Sequence, residues 1–302
     1  MISLRNNNLT LSSPKFRILE RTRGFRQTKQ HKSGLPMVTS RRLTLCLFPI
    51  FSLAITISSW DANGSPPTFP IHIQMGLDAL ISAYPATLSH YTHSHLVTTD
   101  GARLLIDDGK HKTHKEKLAS ADIEDSLSQV YPAHTPLSPP EKNIDPGRIR
   151  AQYLLDQLYG TTRRETEKTL VPVNFFGRTV RVTSRHGMAQ ALRRVVRRLQ
   201  NEKTLRAWLI PPGGTYNWRN IAGTTRRSFH SYGAAIDLNI KRSRYWRWDQ
   251  SSNRKPFVPD TFPRLLVEAF EQEGFIWGGR WFHYDSMHFE YRPELFSARN
   301  KQ

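Results

Sequence analysis

Two histidines and a carboxylate, carried by two short stretches about fifty residues apart, are the residues of this chain best placed to do chemistry. The first stretch is Ser228-Phe-His-Ser-Tyr-Gly-Ala-Ala-Ile-Asp237 and the second is Asp285-Ser-Met-His-Phe-Glu290. His230, Asp237 and His288 offer two neutral imidazoles and one carboxylate, a donor set that holds zinc with one tetrahedral position left open for water. A closed structural site would instead take four protein ligands, mostly thiolates.

The spacing also says which elements must position them. Ala234, Ile236, Leu238 and Ile240 alternate with Ala235, Asp237 and Asn239, which predicts a strand over 234–240 with Asp237 on one face. Met287, Phe289 and Tyr291 alternate with His288 and Glu290, which predicts a second strand. If the two pair, His288 and Asp237 share a face. Gly233 in the intervening turn has access to backbone conformations denied to other residues, so the chain can pass close to a bound ion with His230 on the turn. Asp285, three residues before His288, reaches a metal-held water without being a ligand. Glu290 and His283 are the alternatives for that base, and Glu290 would otherwise orient His288.

Together, Ser-x-His-x-x-Gly-x-Ala-x-Asp and Asp-x-x-His-Phe-Glu resemble the signature of the zinc D-alanyl-D-alanine carboxypeptidases and L-alanyl-D-glutamate peptidases. These belong to a wider peptidoglycan-cleaving group that includes lysostaphin-type enzymes and hedgehog domains. The resemblance covers roughly residues 205–296. It implies His230, Asp237 and His288 as zinc ligands and Asp285 as general base. Strands and helices alternate irregularly around a small sheet, which argues an α+β fold, and the resemblance adds that this sheet, flanked by helices, is antiparallel and carries the zinc on its face. An arginine just before the first zinc histidine helps such enzymes hold the substrate and its oxyanion. Arg219 is the choice for that role, with Arg226 and Arg227 as nearer competitors, and Ser228 and Tyr232 of the first motif join it as substrate-binding residues. The implied substrate is the peptide stem of peptidoglycan, whose D-centres exclude ordinary proteases. Carboxypeptidase action is the leading expectation. The alternatives are an L-alanyl-D-glutamate or cross-link endopeptidase, and a zinc-binding module without catalysis.

Composition bounds these readings. The 302 residues carry a formal charge of +19. Residues 1–64 hold ten of the basic residues and two of the acidic ones, leaving 34 basic and 23 acidic, or +11, on the remainder. Nothing resembles a nucleic-acid module, and the basic residues are scattered rather than gathered into a stripe. Residues 43–59 form an apolar run directly after Arg41 and Arg42, the shape of a secretory signal, with Ala62-Asn-Gly64 as small residues for cleavage. A retained membrane anchor is the competing reading, and Met37 is an alternative start. Cys46, the only cysteine, falls inside this leader, so the mature protein would hold no disulfide. The expected location is the periplasm or cell envelope. The expected partners are peptidoglycan peptides, with no nucleic acid, no stable membrane insertion after leader removal, and a monomeric state.

Three regions follow: a leader over 1–64, a helical and irregular region over 65–145, and a peptidase domain over 146–302. Ser65 to Pro70 reads as a linker. Helical spacing of Ile73, Leu77, Leu80, Ile81 and Tyr84 predicts a helix over 71–84 stopped by Pro85. Residues 87–135 hold His90, His93, His95, His111, His114 and His134 in a polar setting that reads as solvated surface, a second metal site being the alternative. Asp145-Pro146 predicts a helix start, with Gly160 ending it. A hairpin is expected over 171–182 turning at Gly177-Arg178, then a helix over 188–200 whose arginines face solvent. Residues 207–211 read as a short strand. Tyr245, Trp246 and Trp248 serve either core packing or a groove wall. A helix over 262–273, capped by Thr261 and ended by Gly274, delivers the chain to the His288 strand.

Overall fold

The computed structural model describes residues 69–297. The expected leader, with its apolar run, Cys46 and the alternative start at Met37, lies outside those residues. Helix α1 (Ile71–Ala83) forms where the apolar spacing places it, burying Ile73, Leu77, Leu80 and Ile81. Next comes a three-stranded antiparallel sheet of β1 (Leu88–Tyr91), β2 (His95–Thr98) and β3 (Arg103–Leu105). It occupies part of the segment expected to be solvated surface. His90 and His93 are indeed exposed, but Leu88, Tyr91 and Leu96 are buried beneath them.

Two short helices follow, α2 (His114–Ser120) and α3 (Ile123–Leu127), each opened by a reciprocal capping box: Thr113 with Glu116, and Asp122 with Asp125. Each box satisfies two otherwise orphaned amides, which lets helices this short persist. Lys112 ties the segment together, its Nζ lying 2.8 Å from Asp122 and 2.7 Å from Asp125.

Helix α4 (Gln152–Tyr159) ends at Gly160, which takes φ 120°. Its start differs from expectation. Asp145 does not cap it, because its carboxylate is taken by His283: the backbone N–H of His283 donates to Oδ1 at 2.8 Å and the ring Nδ1 lies 2.7 Å from Oδ2. Helix α5 (Arg163–Thr169) leads into the hairpin β4 (Leu170–Phe175) and β5 (Arg178–Thr183). The hairpin turns at Phe176-Gly177, both with positive φ, as a two-residue turn matching strand twist requires. Helix α6 (Met188–Leu199) buries Met188, Leu192, Val195 and Leu199, while Arg194 and Arg198 both reach Glu273 rather than facing solvent alone. Residues 206–209 form the short helix α7 (Arg206–Leu209) instead of a strand, and Ile210 after it is extended.

The remaining elements are β6 (Ala235–Asp237), α8 (Trp246–Ser251), α9 (Arg264–Glu271), β7 (Phe275–Trp277), β8 (His288–Tyr291) and α10 (Glu294–Ser297). Helix α9 starts after Pro263, and Thr261 does not cap it: the Thr261 hydroxyl donates to the Val258 carbonyl at 2.7 Å. Strands β6, β8 and β7 form an antiparallel sheet in that order. Its register sets Asp237 opposite His288 and Ala235 opposite Glu290. Helices thus flank small antiparallel sheets, an α+β architecture.

Two apolar clusters hold the sheet that carries Asp237 and His288. One joins α6, α9 and the hairpin to Ile236, Phe275, Trp277 and Phe289. The other joins α1, the first sheet and α4 to Phe229, Tyr232, Ala234 and Ala235. Burying a side chain the size of Phe229 contributes roughly 1.5–3 kcal/mol. The turn carrying His230 is therefore anchored on both sides of the histidine.

Candidate metal centre and its groove

His230 sits on a 3-10 turn, Phe229–Tyr232, closed by Gly233 in the left-handed region at φ 65°. The glycine is needed for close packing as well as for its φ. A Cβ there would lie 2.5 Å from Leu170 and 3.1 Å from the Thr183 amide, so the turn packs closely against the β4–β5 hairpin. Asp237 ends β6 and His288 begins β8.

The three side chains converge. His230 Nε2 lies 3.2 Å from His288 Nδ1 and 3.1 Å from Asp237 Oδ1, and the last two atoms are 3.0 Å apart. Tetrahedral zinc with bonds of 2.0–2.1 Å would hold its ligands about 3.3 Å from one another. The tautomers agree. His230 Nδ1 is 2.7 Å from the Thr215 carbonyl, which can only accept, so Nδ1 carries the proton and Nε2 a lone pair. His288 Nε2 is 3.1 Å from Glu290, whose carboxylate likewise accepts its hydrogen bond and so leaves Nδ1 with a lone pair. Three lone pairs thus face one point, an arrangement that repels itself unless a cation or a proton occupies it.

The electrostatics say the same. Burial alone would raise the Asp237 carboxyl, but His230 and His288 hold it well below the usual carboxylate range. Burial opposes charge on His288, yet Asp237 and Glu290 push it up to about 10. A site that so favours a proton is one where a metal ion can take the proton's place.

Asp285 stands beside the triangle. Its Oδ1 is buried with no hydrogen-bond partner. Burial, and then the charge of Asp237, push its carboxyl up to about 6. A free, buried acceptor with a pKa near neutrality suits a general base. Gly278 makes the position possible, because its amide region packs so close that a Cβ would fall 2.5 Å from the Asp285 carbonyl.

Residues 222–291 match the family model described as D-alanyl-D-alanine carboxypeptidase. The family resemblance is shown there. The match includes both motifs, with His230, Asp237, Asp285 and His288 all inside it. It supports a peptidoglycan-related metallopeptidase in general terms. No curated protein and no solved structure matches the chain.

Of the other candidate bases, Glu290 is fully engaged. Burial would raise it, but Arg150 and His288 hold it down to about 2. His283 is anchored by Asp145 and packs 4.7 Å from the Trp246 ring. His114 Nε2 lies 3.1 Å from the same Asp145 oxygen, which makes His114, Asp145 and His283 a second His/Asp group among the described residues. The remaining such groups are acidic and lie around Lys112.

The triangle opens into a groove of ≈ 940 Å³. Tyr245, Trp246 and Trp248 line it, so the aromatic cluster forms wall as well as packing. Arg219 and Ser228 line it too. The Arg219 amide donates to Ser231 Oγ at 2.9 Å and its carbonyl accepts from the Ser228 amide at 3.0 Å, tying both to the His230 turn. Arg226 also borders the groove, whereas Arg227 is spent on Asp156 at 2.6 Å.

Tyr232 is misplaced by the sequence reading. It is fully buried, donates to Asp156 at 2.6 Å, and packs against Phe229 and Tyr159 behind the His230 turn. Buried behind the turn and held by the half-buried Asp156, the phenol is not part of the groove lining. Conversely, Lys115 and Arg148 line the groove from outside the matched segment. No local sequence signal marks them, since only the tertiary fold brings residues 115 and 148 to this wall.

Proposed function

We propose that this chain is a zinc-dependent peptidase that hydrolyses amide bonds in peptidoglycan stem peptides, acting as a D-alanyl-D-alanine carboxypeptidase. The observation that supports it best is the buried Oδ1 of Asp285, without a hydrogen-bond partner, beside three converging lone pairs. His230, Asp237 and His288 would hold the ion. When bound, zinc polarises a scissile carbonyl and lowers the pKa of a water.

The rest falls to the protein's own groups. Asp285 takes the proton of the attacking water and passes it to the leaving nitrogen. Arg219, on the groove wall, holds the substrate near the carbonyl oxygen, where negative charge develops. Ser228 borders the same stretch of groove, and the aromatic wall excludes water from the bond being cut. Glu290 keeps His288 in its ligating tautomer.

The enzyme is proposed to act as a monomer outside the cytoplasmic membrane after losing its leader. Among the described residues no helix is long and apolar enough to cross a membrane. N-terminal sequencing of envelope material should begin near Ser65, and an intact leader would argue for an anchored form. Activity is tested by incubating the zinc-loaded mature protein with defined muropeptides and reading products by mass. Loss of one terminal residue supports the proposal. Internal cleavage would make it an endopeptidase, and intact peptides with zinc bound would make it a binding module.

A further inference from the structure

The groove carries cations that its acids do not answer. Arg148, Arg150 and Arg226 stand together on one wall. Arg150 is occupied: it reaches the Gly147 carbonyl at 3.1 Å and Glu290 at 3.5 Å. Arg226 donates to the Arg148 carbonyl at 2.6 Å and has no carboxylate partner among the described residues. Burial, followed by the charges of Arg150 and Arg148, pushes it down to about 9. Arg148 is lonelier still. Its Nε and Nη2 are shut from solvent with no hydrogen-bond partner, and its guanidinium lies 4.4 Å over the Trp281 ring. That ring is 5.6 Å from the ring of His288. One indole therefore separates an unpaired cation from a metal-ligand histidine.

Leaving guanidinium donors buried and unpaired is costly, and an anion entering the groove would remove that cost. Arginine pairs best with a planar carboxylate, which can take two parallel hydrogen bonds. In a peptide cut at its last bond, the terminal carboxylate lies within about 4 Å of the scissile carbon. We propose that Arg148, with Arg226 beside it, forms the subsite for the terminal carboxylate of the residue released. This rests on the peptidase reading above and gives it exopeptidase selectivity. Arg148 comes from outside the segment that matches the family model, and Arg226 from inside it.

The test compares three N-acetylated peptides with the zinc-loaded mature protein. One ends in D-alanyl-D-alanine as a free acid and one as its amide. The third is an amide whose sole carboxylate is an upstream glutamate side chain. The wild type should favour the free acid by about tenfold to a hundredfold in kcat/KM, the value of a charged hydrogen-bonded pair. In Arg148→Met that ratio should fall towards one, and Arg148→Lys, which keeps charge without the planar fork, should restore part of it. A ratio that survives while both rates fall would overturn the proposal and make Arg148 an electrostatic support for Asp285. Selectivity for the side-chain acid alone would overturn it in favour of an upstream carboxylate.

If no peptide is cut, the peptidase reading fails, but the subsite is still decided by calorimetry. N-acetyl-D-alanyl-D-alanine should bind the wild type at least about tenfold more tightly than its amide, and Arg148→Met should lose the difference. Equal binding of acid and amide to the wild type would overturn the subsite.

Discussion

The carboxylate of Glu290 accepts from Nε2 of His288 at 3.1 Å and so leaves the Nδ1 lone pair of that ring for the point it shares with His230 and Asp237. Glu290 is fully buried, and Arg150 and Arg292 each stand 3.5 Å from it. Two cations fix the carboxylate and the carboxylate fixes the ring. Cross-strand register adds the third candidate ligand, because Asp237 lies directly opposite His288.

Glu290→Gln keeps the shape but removes the charge that answers two buried guanidiniums. Zinc affinity should fall tenfold to a hundredfold, as when a ligand loses its orienting partner. Stability should fall by about 3–5 kcal/mol, the usual result of leaving buried charge unpaired. Chelator competition reads the first and urea unfolding the second. Unchanged affinity in a destabilised protein would limit Glu290 to a structural role.

Zinc binding should stabilise the fold by mass action, by about 2.7 kcal/mol when free zinc is a hundred times its dissociation constant. His230→Ala removes one of three ligands and should abolish the rise in Tm on adding zinc. Metal analysis of the same variant should show substoichiometric zinc. A full complement of zinc in His230→Ala would sink the triangle as the binding site.

Gly233→Ala places a side chain in the left-handed region and against Leu170. The strain should cost on the order of 1–3 kcal/mol and displace the turn that carries His230. Chemical denaturation and zinc affinity should both weaken. An alanine variant as stable as the parent would show that the turn can relax away from β5.

How much of this was legible in the sequence depends on how local the cause was. The alternation around Asp237 and His288 placed two strands, and their pairing sets those two residues opposite one another. Helix α1 followed from apolar spacing, and Gly160 from its place at the end of α4. Elements fixed by distant partners were not legible. Asp145 looks like a cap yet belongs to His283, 138 residues away. Tyr232 looks like a groove residue because it neighbours a ligand, but a turn alternates its faces and sends it to Asp156. The first sheet escaped because its strands are three or four residues long and interleaved with histidines.

Asp285 separates an enzyme from a binding module. Its carboxyl is pushed up to about 6 by burial and by Asp237, and a bound dication would draw it down again. A base works only when ionised, so activity should be present above that pKa and lost as pH falls through it. The acid limb of kcat/KM should therefore have its midpoint at or below about 6 and steepen to tenfold per pH unit beneath it. Asp285→Asn is nearly isosteric but cannot take the water's proton. It should keep its zinc and lose on the order of a hundredfold or more in turnover, and the residual activity should no longer show that acid limb. Were Asp285 only a support for the ligands, the variant would instead lose zinc affinity while the loaded fraction stayed active. Zinc content, turnover and the pH profile measured on one preparation distinguish the two. Full activity in the zinc-loaded variant would move the role to His283, which Asp145 already holds at the edge of the groove.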